Sequence, residues 1–267
     1  MKTEWYLVKP GKKMSLADYD ANDNGKLEKD ETNEKLLKLK QELNLLQTQL
    51  YADRCYALLI ILQGMDTSGK DGVCKQVVSA FNPQGVQITS FKVPTAIEMA
   101  HDFTWRVHRV VPPHGMVGIF NRSHYEDVLV QRVENIVPKE VWSKRYRTIN
   151  DFEKMLTDNR VILCKFYLHI DQEEQRLRLQ DRLEDPTEHW KFNISDLKAR
   201  AKWDEYRKAY EAALMRCSTD EAPWYVIPAN RKWFRNYLIA SILKERLQAL
   251  DLRWPPLEDG TVGITIE

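Results

Sequence analysis

The stretch Tyr56-Ala-Leu-Leu-Ile-Ile-Leu62-Gln-Gly64-Met65-Asp66-Thr67-Ser68-Gly69-Lys70-Asp71-Gly72 decides the fold. An apolar run at 56–62 reads as a buried strand, the glycines after it as a tight turn, and the residues from Lys70 as a helix. Gly64 to Lys70 has the form G-x-x-x-x-G-K, a phosphate-binding loop in the strand–turn–helix context that it requires. Glycines let backbone N–H groups curl around an anion, the helix N-terminus adds a positive dipole, and Lys70 adds a full charge. Met65, Thr67, Ser68, Gly69, Lys70, Asp71, Gly72 and Lys75 are the candidate phosphate-binding residues. Asp71 stands where such loops usually carry Ser or Thr.

Outward from this loop, strands and helices alternate. Helix is expected over 70–80, ended by Asn82-Pro83, and a strand runs from Gly85 through Phe91. Thr95 and Glu98 form a capping box for a helix reaching about Val110. Strand follows at 116–120, helix at 142–157, strand at 160–170, and helix at 172–185, where Pro186 stops it. Ser195 caps a long helix to about Cys217, and a last strand (224–227) and helix (233–250) complete the pattern. Five strands separated by helices mean an α/β fold with a parallel sheet covered on both faces. Ligands are expected beyond the carboxyl ends of the strands. Residues 1–50 read as an extension with an amphipathic, leucine-rich helix, and 51–267 as the loop-bearing domain with a helical lid at about 176–202.

Composition narrows the function. The 267 residues carry 40 Lys and Arg against 39 Asp and Glu, a net charge of +1. That balance gives no basis for bulk attraction to nucleic acid or membrane, so an anion site must come from local clustering. The longest apolar run, 56–62, is far short of a membrane span. No targeting signal is recognisable, and four scattered cysteines without a CxxC pair suit free thiols in the cytoplasm.

Two aspartates sit in a loop built for anions. Mg²⁺ resolves the conflict at Asp66, since it binds carboxylate and phosphate oxygens together. Asp71, at the helix start, reads first as a dipole cap. After the strand at 116–120 comes Asn121-Arg122, an amide where P-loop kinases usually place an acid. That substitution suits an acceptor that is itself a phosphate, whose oxygen is anionic already and needs no general base. Arg178 and Arg182, four apart on one helix face, precede a charged, Pro-interrupted stretch. Together they read as a mobile lid delivering cations to a transferring phosphoryl group, against the alternative of a solvated charged face. Asp20 to Glu31 also fits an EF-hand calcium loop, but Pro10-Gly11 leave little room for an entering helix and no second loop exists. An acidic turn leading into a helix is the preferred reading there.

These residues resemble the polyphosphate kinase 2 family. The resemblance rests on Gly64 to Gly72, on Phe120-Asn121-Arg122-Ser-His-Tyr125-Glu126-Asp127, and on Arg178…Arg182…Pro186…His189-Trp190-Lys191. Ser90 to Thr95, His101 to Arg106 and Ala222 to Ala229 add to it, so that it covers roughly residues 50–250. It implies a thymidylate-kinase-like P-loop kinase that moves a terminal phosphoryl group reversibly between polyphosphate and a nucleotide, with Mg²⁺ as cofactor. It places Asp66 and Asn121 at the metal, although the family often carries Asp at the latter position. Lys70 and Arg122 would neutralise the transferring group, with Arg178 and Arg182 closing from the lid. Glu126 resembles the class III branch, which is associated with both nucleoside mono- and diphosphates. The partners implied are polyphosphate and AMP, ADP and ATP, with guanine nucleotides and a homo-oligomer (dimer or tetramer) as further expectations. Pro94, Phe103, Arg106, Glu126 and Asp127 are the nucleotide candidates, the first three from their positions at strand and helix ends. A conventional ATP-dependent nucleotide kinase, and a non-enzymatic module sensing phosphate or calcium, are the competing readings.

Overall fold

The computed structural model describes residues 2–258 together with Thr261 and Ile264. Five strands, β1 (Ala57–Gln63), β2 (Val86–Ser90), β3 (Val117–Asn121), β4 (Val161–His169) and β5 (Trp224–Pro228), form one sheet in the order β2-β3-β1-β4-β5. Every pairing between them is parallel. The first helices are α1 (Lys29–Asp53), α2 (Lys70–Gln76), α3 (Ala96–Met99), α4 (Trp105–His108) and α5 (Val130–Val133). They are followed by α6 (Lys139–Asp158), α7 (Gln172–Glu184), α8 (Ile194–Ala201), α9 (Trp203–Cys217) and α10 (Lys232–Gln248).

Strand β1 is buried along its whole length, which is why it reads as a continuous apolar run. Its alternate residues serve two cores. Leu58, Ile60 and Leu62 pack with Leu43 and Leu50 of α1, Val73 of α2 and Leu238 of α10. Leu59 and Ile61 pack with Tyr146 and Ile149 of α6 and with Ala209 and Leu214 of α9. The leucine stripe of α1 is therefore divided: Leu43 and Leu50 are fully buried, whereas Leu37 and Leu45 are exposed. The segment before α1 also meets the sheet, for Leu7 bridges Tyr225 in antiparallel fashion and Val8 N–H donates to the Trp224 carbonyl at 2.8 Å.

Several element boundaries depart from the sequence reading. The Thr95/Glu98 capping box is present. The helix it opens nevertheless lasts only through Met99, because Asp102 accepts from Thr104 N–H at 2.9 Å and turns the chain before α4. Asn193, not Ser195, caps α8, accepting from Ser195 N–H at 2.9 Å. The long helix to Cys217 is two helices, parted at Lys202, whose ψ of 29° leaves the helical region. Helix α2 ends at Gln76 and gives way to a 3₁₀ turn, Val78–Ala80. Among the described residues no helix is long and apolar enough to cross a membrane.

Candidate active site

A cleft of about 960 Å³ opens beyond the carboxyl ends of β1 and β3. It brings together Asp66, Thr67, Gly69, Lys70, Asp71 and Gly72 with Asn121, the last residue of β3, with Arg122 next to it, and with Arg178 and Arg182 of α7. The register explains this meeting. Leu62 pairs with Asn121, and the backbone N–H of Arg122 donates to the Leu62 carbonyl at 3.0 Å, so the two strand ends finish side by side.

The loop holds a conformation that its sequence only partly favours. Gly69 has φ +99° and Gly64 φ +154°, a region rarely open to side chains, and a Cβ on Gly64 would lie 2.8 Å from the Leu168 carbonyl. Thr67 (φ 66°) and Arg122 (φ 62°) adopt left-handed backbone without being glycine. Such strain collects at functional sites, held in place by the surrounding structure. Thr67 Oγ1 and Ser68 Oγ are buried without a hydrogen-bond partner, a condition that a phosphate in the loop would relieve.

Cations reach the loop from several elements. Lys70, buried, donates to the carbonyls of Gly64 (2.8 Å) and Met65 (3.2 Å). Its burial, reinforced by the charge of Arg122, pulls its ammonium down to about 8. Arg122 pairs with Asp66 at 2.6 Å and with Glu126 at 3.1 Å, and these carboxylates hold it protonated. Arg178, also buried, donates to the Thr67 carbonyl at 2.9 Å, to the Ala229 and Asn230 carbonyls, and to Glu174. Arg182 is tied instead to the segment that follows α7, through the Lys191 carbonyl (3.2 Å) and Asp196 of α8 (3.4 Å). The two α7 arginines, alike in sequence, thus have different partners.

Asp66, Asp71 and Asn121 present hard oxygen ligands to one cleft, and Asn121 Nδ2 donates to Asp71 Oδ1 at 2.6 Å. Among the described residues no three Asp, Glu, His or Cys side chains converge. This donor set fits Mg²⁺, which is usually held by one or two carboxylates and completed by substrate phosphates and water.

The other sequence candidates lie outside the cleft lining. Met65 and Ser68 are buried within the loop, and Lys75 is exposed on α2. Arg106 is buried under the segment after β2, donating to the Lys92 carbonyl at 3.0 Å and lying 5.2 Å from the Phe91 ring centroid. Phe103 carries the Arg145 guanidinium over its ring, and Arg145 pairs with buried Asp127 at 2.7 Å. Burial outweighs that partner and lifts the Asp127 carboxyl to about 6. Pro94 is half-buried and Glu126 serves Arg122. The Asp20–Glu31 loop spends its side chains on local turns: Asp20, Asp23 and Asn24 each accept from a backbone N–H two residues on, and Asp23 also accepts from Tyr6.

Sequence reasoning missed Lys232 and Arg235, which line the cleft from the first turn of α10, and Asp196 of α8, an acid that lines it too. The rule that ligands bind beyond strand ends applies equally to β5 and could have flagged the first two.

A family model described as Polyphosphate kinase 2 (PPK2) matches residues 26–253. An AMP/ADP-polyphosphate phosphotransferase of Meiothermus ruber is 48% identical over 264 residues, 98% of this chain and 99% of the relative. An ADP-polyphosphate phosphotransferase of Rhodopseudomonas palustris is 39% identical, over 96% and 93% of the two chains. The crystal structure of Polyphosphate Kinase 2 from Arthrobacter aurescens TC1 superposes with a TM-score of 0.91 at 42% identity, over 95% of this chain and 91% of that one. The match takes in helix α1 as well as the loop, the strand ends and helices α7 and α8, and this chain belongs to the polyphosphate kinase 2 family.

Proposed function

We propose that this enzyme transfers the terminal phosphoryl group of inorganic polyphosphate to nucleoside diphosphates and monophosphates, making ATP from ADP and ADP from AMP. The observation that carries this reading is the nearly end-to-end match to a relative named for both AMP and ADP. The cleft agrees with it: a loop shaped for phosphate, cations from separate elements, and an amide at Asn121 where a base for a hydroxyl acceptor would stand.

In the reaction, an anionic oxygen of the acceptor's terminal phosphate attacks the terminal phosphorus of polyphosphate. A new P–O bond forms as the P–O–P bridge breaks, and the bridging oxygen leaves with a chain shorter by one phosphate. No proton has to be removed from the acceptor. Lys70 and Arg122 neutralise the charge on the transferring group, and Arg182 adds a third cation from the lid. Arg178 holds the loop carbonyls in place. Mg²⁺ held by Asp66 and Asn121 would shield the phosphate oxygens from one another. One phosphoanhydride replaces another, so the exchange is reversible, with direction set by concentrations. Acceptance of guanine nucleotides and assembly into dimers or tetramers in the cytoplasm complete the reading.

The test is ATP formation by luminescence with purified protein, Mg²⁺, polyphosphate and either ADP or AMP, with adenylate kinase excluded in the AMP arm. ATP from both acceptors supports the full reading. ATP from ADP alone removes the monophosphate step. No product from either, with folded protein, overturns the assignment in favour of an ATP-dependent kinase or a binding module.

A further inference from the structure

Ser68 N–H donates to the Met65 carbonyl at 3.1 Å, which closes a β-turn with Asp66 and Thr67 at its centre. The two commonest forms of such a turn differ by a flip of the central peptide, and the form with positive φ at the third residue favours Gly or Asn there. Thr67 holds that third place with φ 66°. A β-branched residue is strained in this conformation, so the flipped form would prevail unless the surrounding structure held the Asp66 carbonyl where it is. The flip matters, because the carbonyl and N–H of a trans peptide point oppositely. It would exchange the directions of the Asp66 carbonyl and the Thr67 N–H, putting an acceptor where the loop had a donor.

The side chain that holds the carbonyl is Gln175 of α7. It is 0% exposed, and its Nε2 donates to the Asp66 carbonyl at 3.1 Å. Three residues on, along the same helix face, Arg178 takes the Thr67 carbonyl. A carboxamide can turn end for end, but only its nitrogen end can serve a carbonyl. Arg200 of α8 fixes which end faces the loop, for its Nη1 donates to Gln175 Oε1 at 3.1 Å and to the Gln172 carbonyl at 2.7 Å. A guanidinium offers donors only, so Arg200 admits just the orientation that leaves Nε2 for Asp66. None of the side chains of α8 is fully buried, and the helix meets α7 through Arg200 and through Asp196, which lies 3.4 Å from Arg182.

We infer that Gln175 is a positioning residue: it latches the Asp66–Thr67 peptide in its strained orientation, and Arg200 sets the latch, so that the seating of α8 governs the shape of the loop. This rests on the phosphoryl-transfer function proposed above and adds to its machinery a wholly buried, uncharged side chain.

The experiment measures kcat/KM for polyphosphate and the melting temperature of Gln175→Glu, Gln175→Ala, Arg200→Ala and the double variant Gln175→Ala/Arg200→Ala. It repeats Gln175→Ala in a Thr67→Gly background. Gln175→Glu keeps the size and gains a charge pair with Arg200, but it sets an acceptor against the Asp66 carbonyl. It should melt within a few degrees of the wild type yet lose kcat/KM by about tenfold or more. Arg200→Ala should lose less, and the double variant no more than Gln175→Ala alone, because the relay is already cut. With Thr67→Gly, where positive φ carries no strain, Gln175→Ala should cost at least about threefold less than it does with Thr67 present. Wild-type kcat/KM in Gln175→Glu, additive losses in the double variant, or equal costs in the two Thr67 backgrounds overturn the inference, since a residue that only fills space would give them. Should the Gln175 variants fail to fold, the half-buried Arg200 decides, and an unchanged kcat/KM in Arg200→Ala overturns the latch. An inactive wild type would instead overturn the function itself, so the two failures are distinguishable.

Discussion

Arg178 Nη1 donates to the Thr67 carbonyl at 2.9 Å, while Nη2 of the same guanidinium donates to the Ala229 and Asn230 carbonyls. One buried side chain on α7 thereby joins the phosphate loop to the end of β5. Arg182, one turn later, bonds only to Lys191 and Asp196. Arg178→Ala should therefore lower both stability and activity, by about 3 kcal/mol in urea denaturation, since it strands buried carbonyls and Glu174. Arg182→Ala should lower kcat by roughly 10²–10³ with a stability change below about 1 kcal/mol. Equal stability losses in the two variants would contradict this division of labour.

Lys70 sets a pH limit. It is cationic below about 8 and loses its charge above that value. Binding of an anionic donor needs the ammonium, so kcat/KM for polyphosphate should be level below this pH and decline above it, about tenfold per unit. In the complex, bound phosphate favours the charged form, so the decline in kcat should lie at higher pH. A profile of kcat/KM that stays flat well above the Lys70 pKa would count against this role.

Metal removal tests the role proposed for Asp66. Chelation should abolish transfer, and Asp66→Asn should raise the Mg²⁺ concentration for half-maximal rate by about tenfold or more. Its carboxylate also neutralises Arg122 at 2.6 Å, so donor KM should move less than the Mg²⁺ requirement. Unchanged Mg²⁺ dependence would remove Asp66 from the metal.

Two and three residues after Arg122, His124 and Tyr125 enter a buried polar network. Glu153 Oε2 pairs with Lys165 at 2.5 Å, its Oε1 accepts from Tyr125 at 2.8 Å, and His124 stands 3.1 Å away. Burial pushes the Glu153 carboxyl up, but the Lys165 and His124 contacts outweigh it and keep it below its ordinary value. Glu153→Gln should destabilise by about 3–5 kcal/mol, because Lys165 would be left charged and unpaired. Adding Lys165→Met should restore part of that loss. Strict additivity of the two effects in chemical denaturation would show that the pair is not coupled.

The loop and strands were legible because their signals are local. Seven residues of β1 are all buried, and each strand end falls within a residue or two of its apolar run. The same local reading failed between Thr95 and Val110, where the capping box suggested one helix but the Asp102 side chain closes a turn first. It also placed Asn121 and Arg122 near the loop only through the strand pattern, which the register of β1 against β3 makes good.

Residue type and spacing were thus enough for the phosphate loop, the parallel sheet and the family, because backbone curl and strand burial are written in short stretches. Which charges meet was a matter of tertiary packing. Arg178 and Arg182 look equivalent on a helical wheel, yet one is bonded to the loop at Thr67 and the other to Lys191 beyond α7. Arg235 belongs to no motif, and lies 166 residues beyond Gly69 (235 − 69). Only the parallel sheet, by setting β5 two strands away from β1, brings the start of α10 against the loop. Electrostatic partnership acts through space over a few ångströms, so no local pattern along the chain can report it.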